Sequence, residues 1–240
     1  MVCNFPLAIL ISALMFSLCV AQTTQPSTEQ ADDPNLKKVL IIGDSISMGY
    51  TPIVAEKLKG VAQVSRNPGN AATTGKGLES IDAWIGETKW DVIHFNWGLH
   101  DLCHWDGKKK DRVNGKLSTT PEQYEANLEK LVARLKQTHA KLIFAETTHV
   151  PEDEPGRFPN AEQTYNAVAR RVMEKHGIVV NPLEQISRDM PDEYRAGRGD
   201  VHYKKKGSEI LADAVERAIR AQLNVPTTQE SRESHKQQAE

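Results

Sequence analysis

Four short segments of the chain carry residues whose types and spacing could do chemistry. Gly43-Asp44-Ser45 follows an apolar run and precedes Ile46 to Tyr50, with Thr51-Pro52 predicted to open a helix. A serine hydroxyl in a tight turn between strand and helix is exposed, and the backbone N–H groups beside it can receive an oxyanion. Gly-Asp-Ser is also a common turn, and by itself it says no more than that. Asn67 to Gly77 holds three glycines that could bring backbone donors close to a substrate. It lacks the terminal Lys-Ser/Thr of a phosphate cradle, which disfavours nucleotide binding. Asn96-Trp97-Gly98-Leu99-His100-Asp101 forms a polar cluster, and Gly199-Asp200-Val201-His202 stands before the last helical stretch.

The elements that must position these segments are legible as alternating patterns. Val39-Leu-Ile-Ile42, Val61 to Val64, Val92 to Phe95, Leu142 to Ala145 and Ile178 to Val180 are short apolar runs. Such runs, apolar on both faces, suit strands covered by helices on both sides of a parallel sheet. Thr120-Pro121-Glu122-Gln123 reads as a capping box with proline at N1, and Tyr124, Leu128, Leu131, Val132 and Leu135 then form one buried stripe. Further helices are predicted over Ala161 to Lys175, stopped at His176-Gly177, and over Ser208 to Gln222. The alternation predicts an α/β three-layer αβα sandwich with a mainly parallel sheet of about five strands. In such sheets sites gather at the carboxyl ends of the strands, where the first three segments lie, the fourth directly preceding the last helix.

Size and charge narrow the function classes. The chain has 240 residues, 30 Lys+Arg against 32 Asp+Glu, a size that favours one domain and a balance without the clustered basic excess that nucleic-acid binding needs. Phe5 to Ala21 is uncharged and apolar and is followed by polar residues, the outline of a secretory signal covering residues 1–21, cleaved after Ala21. A secreted or periplasmic location follows, with membrane contact only if the segment stays uncleaved. Its removal takes Cys3 and Cys19 and leaves Cys103 without a disulfide partner. Residues 22–36 and 224–240 read as a polar, disordered linker and tail around a folded domain at 37–223.

Taken together and in this order, the Gly-Asp-Ser turn, the glycine loop, Gly98-x-x-Asp101 and Asp200-x-His202 resemble the SGNH hydrolases, the GDSL-type serine esterases. The resemblance covers about residues 38 to 223 and implies a flavodoxin-like fold with an ester-hydrolysing site on its upper edge. By that mapping Ser45 is the nucleophile and one oxyanion donor through its N–H, Gly69 supplies the second N–H, and His202 is the general base. Asp44, Gly98 and Asp101 are supporting residues. The implied chemistry is acyl transfer through a serine ester and needs no metal or organic cofactor.

Two departures bear on this mapping. The family's side-chain oxyanion donor is an asparagine, and His100 stands in its place; a neutral imidazole donates one hydrogen bond, an imidazolium a stronger one. The family spaces its acid three residues before the histidine, where this chain has Gly199, and Asp200 lies two before it. Asp200 either orients the ring or leaves a Ser45-His202 dyad.

Competing readings attach to the same region. His94, His100, Asp101, Cys103 and His104 are crowded enough to suggest a metal, with His100 and His104 on one helix face, but recognised ligand spacing is lacking. His94 reads as a core residue and Cys103 as a buried thiol. Trp97 and Trp105 could floor a sugar site. Lys108 to Arg112 reads as a solvated loop with an anion-binding alternative, and Pro151 to Gly156 as an exposed acidic turn. The expected substrate is a small-molecule or carbohydrate ester, acetyl above all. A lysophospholipase or thioesterase, or a non-catalytic carbohydrate-binding protein with a degenerate site, are the alternatives.

Overall fold

The computed structural model describes Met1 and residues 35–226. The signal segment, the linker up to residue 34 and the tail beyond residue 226 lie outside the described residues.

Five strands form one wholly parallel sheet: β1 (Lys37–Ile42), β2 (Ala62–Arg66), β3 (Val92–Phe95), β7 (Lys141–Ala145) and β8 (Val179–Asn181), in spatial order β2-β1-β3-β7-β8. Val39, Ile41, Ile42, Val92, Ile93, Phe95, Ile143 and Phe144 are fully buried, as a sheet covered on both faces requires. Helices α1 (Ser45–Lys57) and α6 (Lys205–Leu223) pack together in one layer, and α2 (Thr74–Ile85), α3 (Pro121–Lys136) and α4 (Glu162–His176) in the other. A short α5 (Leu183–Arg188) packs against α6. The chain leaves β1 for β2 on one side and reaches β3 on the other, so the strand order reverses between β1 and β3. The crevice beyond their carboxyl ends is the topological switch point.

Local signals explain most boundaries. The α3 capping box forms as the sequence reads, with Thr120 Oγ1 accepting from Gln123 N at 3.3 Å and Gln123 Oε1 from Thr120 N at 3.1 Å. Gly177, in the left-handed region at φ 67°, ends α4.

Elsewhere the structure corrects the sequence reading. Helix α1 starts at Ser45 rather than at Thr51-Pro52, because the Asp44 carboxylate caps it by accepting from Ile46 N at 2.9 Å; Pro52 then falls inside the helix. Helix α6 begins at Lys205, three residues before Ser208, since Lys205 and Lys206 are exposed and contribute nothing to the apolar period. Within Lys108–Arg112, Lys109 and Lys110 are strand rather than loop, while Lys108, Asp111 and Arg112 lie outside the strands. β4 (His104–Asp106), β5 (Lys109–Lys110) and β6 (Lys116–Leu117) make a small antiparallel sheet in order β5-β4-β6, turned at Gly107 with φ 58°. Two-residue strands are too short to show a period.

The segment Pro151 to Gly156 is not simply exposed either. Glu154 is buried, bonded to Arg157 Nη1 at 2.6 Å and to Gly156 N at 2.7 Å.

Candidate active site

At the switch point, Ser45 opens α1 and its Oγ lies 2.8 Å from His202 Nε2. The Nδ1 of the same ring lies 2.6 Å from Asp200 Oδ1, which also accepts the His202 backbone N–H at 2.9 Å. A hairpin brings Asp200 within reach of the ring. Arg195 and Tyr203 pair as an antiparallel bridge, Ala196 N donates to His202 O at 2.9 Å, and Gly199 turns the tip at φ 69°. The turn folds Asp200 back over His202, so a spacing of two residues serves. Partial burial pushes the Asp200 carboxyl up, but the bonds from the His202 backbone and ring, with the charges of His202 and Lys110, outweigh it and hold it below the usual carboxylate range.

His100 sits half-buried at the turn after β3, close enough to Asp44 and His202 to feel both charges. Burial lowers its pKa most, Asp44 opposes this, and Arg157, Lys110 and His202 add to the lowering. The neutral imidazole, with one N–H to donate, is therefore the favoured form near neutral pH. Asn96, the other amide near this turn, is engaged: its Nδ2 donates to Ala145 O at 2.8 Å.

The turn carrying His100 is held from three sides. Gly98 has φ 152°, and a Cβ there would meet Thr147 Oγ1 at 1.9 Å, so only glycine fits. Asp101 is fully buried and ties the turn to the start of α2, accepting from Thr74 N at 2.9 Å and Thr74 Oγ1 at 2.6 Å. Burial pushes its pKa up to about 6 against the hydrogen bonds from Thr74 and Thr119. Arg157, buried, donates from Nε to Leu99 O at 2.6 Å. Arg157 has no motif around it in the sequence, and only its contact with Leu99, 58 residues away, reveals it.

Gly69 lies exposed in the loop after β2 at φ 66°. That loop closes onto the nucleophile turn, with Ala71 N donating to Gly43 O at 3.1 Å and Gly43 N to Asn67 Oδ1 at 3.0 Å. Ala72 is in the left-handed region at φ 50°, its N–H held by Asn70 Oδ1 at 2.8 Å.

The competing readings separate in space. Trp97 is buried, its Nε1 on Ala71 O at 3.3 Å, so it is core and not a sugar platform; Trp105 stays half-buried in β4. His100 lies in a turn and His104 in β4, so they share no helix face. His94 is fully buried in β3 with Nε2 at 3.3 Å from Asn181 Nδ2, and burial lowers its pKa to about 3. Cys103 is buried and burial raises its thiol pKa. Among the described residues the group able to converge on a metal is instead His149, Glu162 and Glu184, and there Arg188 already bonds Glu162 Oε1 at 2.8 Å and Glu184 Oε1 at 2.5 Å. Lys110, 3.6 Å from Glu154, brings its charge to bear on both His100 and Asp200, so the small sheet borders the site.

Two cavities adjoin these residues. One of about 10 Å³, lined by Asp44, Ile46, Ser47 and Leu99 among others, flanks Ser45 and has room for about one water. The other, about 770 Å³, borders the Gly197–Gly199 part of the hairpin and is lined largely by charged groups, including Glu152, Asp153, Arg188, Arg198 and Lys204.

The fold, the serine at the switch point and the histidine hairpin together define a class, and the comparisons agree. The model of the GDSL-like lipase/acylhydrolase family matches residues 41–210, and the chain belongs to this family of ester-bond hydrolases, the SGNH hydrolases. Among solved structures it is similar to a lipase/acylhydrolase from Enterococcus faecalis, with 20% identity and TM-score 0.65 over 78% of this chain and 96% of that one. It is also similar to an acetylxylan esterase from Geobacillus stearothermophilus, with 20% identity and TM-score 0.64 over 76% and 94% of the two chains. TesA shows 18% identity and TM-score 0.60 over 78% and 99%. No curated protein matches the sequence.

Proposed function

We propose that this hydrolase is an exported serine esterase that removes small acyl groups, acetyl above all, from carbohydrate. The observation that carries the proposal is the continuous relay from Ser45 Oγ to His202 Nε2 at 2.8 Å and from His202 Nδ1 to Asp200 at 2.6 Å. In the reaction His202 takes the Ser45 proton as Oγ attacks the ester carbonyl. The oxyanion is held by the N–H groups of Ser45 and Gly69 and by the His100 imidazole. Asp200 stabilises the imidazolium, which then protonates the leaving alcohol. His202 next activates water, which releases the acid from Ser45. Protons and bonds balance with no group beyond these residues and water.

The charged lining of the cavity beside the hairpin tip, at Gly197 and Gly199, favours a polar group over a lipid chain at that border of the site, since burying a lipid chain against charges would be costly. The acetylxylan esterase among the similar structures supports the same reading, and the apolar stretch Phe5 to Ala21 supports export.

The test is hydrolysis of para-nitrophenyl acetate, butyrate and octanoate and of acetylated xylan by wild type and Ser45→Ala, with the mass of the protein recovered from the exporting host's medium. Activity on acetate and acetylated xylan that vanishes in Ser45→Ala is expected. A preference for octanoate would turn the assignment to a lysophospholipase-like or thioesterase enzyme. Equal rates for both proteins on every ester would leave a carbohydrate-binding protein.

A further inference from the structure

Arg66 ends β2, beside Ile41 of β1 in the parallel ladder, where both strands stop and their chains turn into the site. Beyond this point the backbone carbonyls have left the ladder and need donors. The guanidinium supplies them from both loops at once. Nε donates to Ser47 Oγ at 2.9 Å, and Nη2 to Gly43 O at 2.9 Å and Asp44 O at 3.1 Å. Nη1 donates to Asn67 O at 2.8 Å and Gly69 O at 2.8 Å. Ser47 Oγ passes the bond on to Asp44 O at 2.7 Å.

All five N–H groups of the fork are thereby used, four on carbonyls and one on a hydroxyl, with no carboxylate among the acceptors. A guanidinium spent in this way is a rigid planar template more than a counter-charge. Its acceptors flank Ser45 on one side and include Gly69 on the other. The loop it grips contains two residues at positive φ, Gly69 and the alanine Ala72 at 50°, a conformation alanine adopts only under constraint.

We propose that Arg66 is the positioning residue that fixes the distance between the Ser45 turn and the Gly69 loop, and so sets the oxyanion site. The inference rests on the serine-esterase reading above. Lysine cannot replace the fork, because one ammonium offers three hydrogens from a single point and cannot span both loops.

The test uses the full-length protein as wild type, Arg66→Ala, Arg66→Lys and Ser47→Ala, with para-nitrophenyl acetate kinetics, labelling of Ser45 by a fluorophosphonate, and thermal unfolding. Arg66→Ala is expected to lose about 10²-fold in kcat and in labelling rate while KM changes by less than about threefold, the pattern of a misplaced oxyanion site rather than of lost binding. Arg66→Lys should be nearly as slow, and Ser47→Ala, losing one of five acceptors, should lose less than about tenfold. Millimolar ethylguanidinium should restore at least about tenfold of the Arg66→Ala rate and none of the Ser45→Ala rate.

An Arg66→Ala or Arg66→Lys enzyme within about threefold of wild type in kcat overturns the proposal. So does a slow Arg66→Lys enzyme whose loss is entirely in KM, or a folded Arg66→Ala enzyme that guanidinium does not rescue. If Arg66→Ala does not fold, the Arg66→Lys split between kcat and KM decides. Wild type inert toward both ester and fluorophosphonate overturns the esterase reading and this one with it, whereas active wild type with unchanged Arg66 variants overturns this one alone.

Discussion

Asp200 holds His202 twice with a single oxygen, by the backbone N–H at 2.9 Å and by ring Nδ1 at 2.6 Å. The first bond fixes the turn and the second fixes the tautomer, leaving Nε2 to accept from Ser45. Asp200→Asn keeps an oxygen for the backbone bond but removes the charge that stabilises the imidazolium. Loss of about 10³–10⁴ in kcat is expected, with little change in KM or thermal midpoint. Steady-state kinetics with para-nitrophenyl acetate check this, and a loss under tenfold would mean that Ser45 and His202 act as a dyad.

With His100 as the proposed side-chain oxyanion donor, His100→Ala should lose about 10²–10³ in kcat. His100→Asn, which restores an amide N–H to the turn, should recover most of that loss. Because the His100 pKa is lowered, chiefly by burial, its own titration lies below the ordinary histidine range. Pre-steady-state acylation rates of wild type and His100→Asn should therefore keep a constant ratio from neutral to alkaline pH. A ratio that changes tenfold across that span would refute the neutral form.

Asp101 predicts a pH dependence of stability. Its folded-state pKa is raised from 3.8 to about 6, mostly by burial. The stability contributed by its proton is fully present below the unfolded value and is lost as pH rises through about 6. Urea unfolding of wild type should therefore show a component that weakens between these limits. Asp101→Asn, which cannot ionise, should lack it, and identical pH profiles would refute the assignment.

Gly98→Ala places a methyl 1.9 Å from Thr147 Oγ1 on a backbone with φ 152°, so the turn must move. A loss of at least about 2 kcal/mol in urea unfolding is expected, together with lower kcat from the displacement of His100. Crystals of the variant with the turn unmoved and full activity would contradict it.

Much of this fold was legible in the chain because its signals are local. The Val39 to Ile42 run, the Thr120 capping box and the stop at Gly177 each depend on residues a few positions apart, and each element formed where its pattern lay. Pro52 misled the reading of α1 because a proline signals a helix start by default, and the stronger Asp44 cap lies eight residues earlier. The strands β4 to β6 and the burial of Glu154 left no trace because neither has a period. Glu154 reads as part of an exposed acidic turn until the fold buries it against Arg157.

What the sequence determined by itself was the order of strands and helices, hence the parallel sheet and the placing of Ser45, Gly69 and His100 at its carboxyl edge and of His202 directly before the last helix. These follow from apolar periodicity, capping residues and glycine positions, which act over a few residues of chain. Tertiary structure alone decided that Asp200 folds back onto His202, that Trp97 enters the core and that Arg66 joins two loops. Each of those outcomes is a contact or hydrogen bond whose existence depends on a turn conformation or on packing between strands. Residue type permits such a bond, but only the folded backbone brings donor and acceptor within reach.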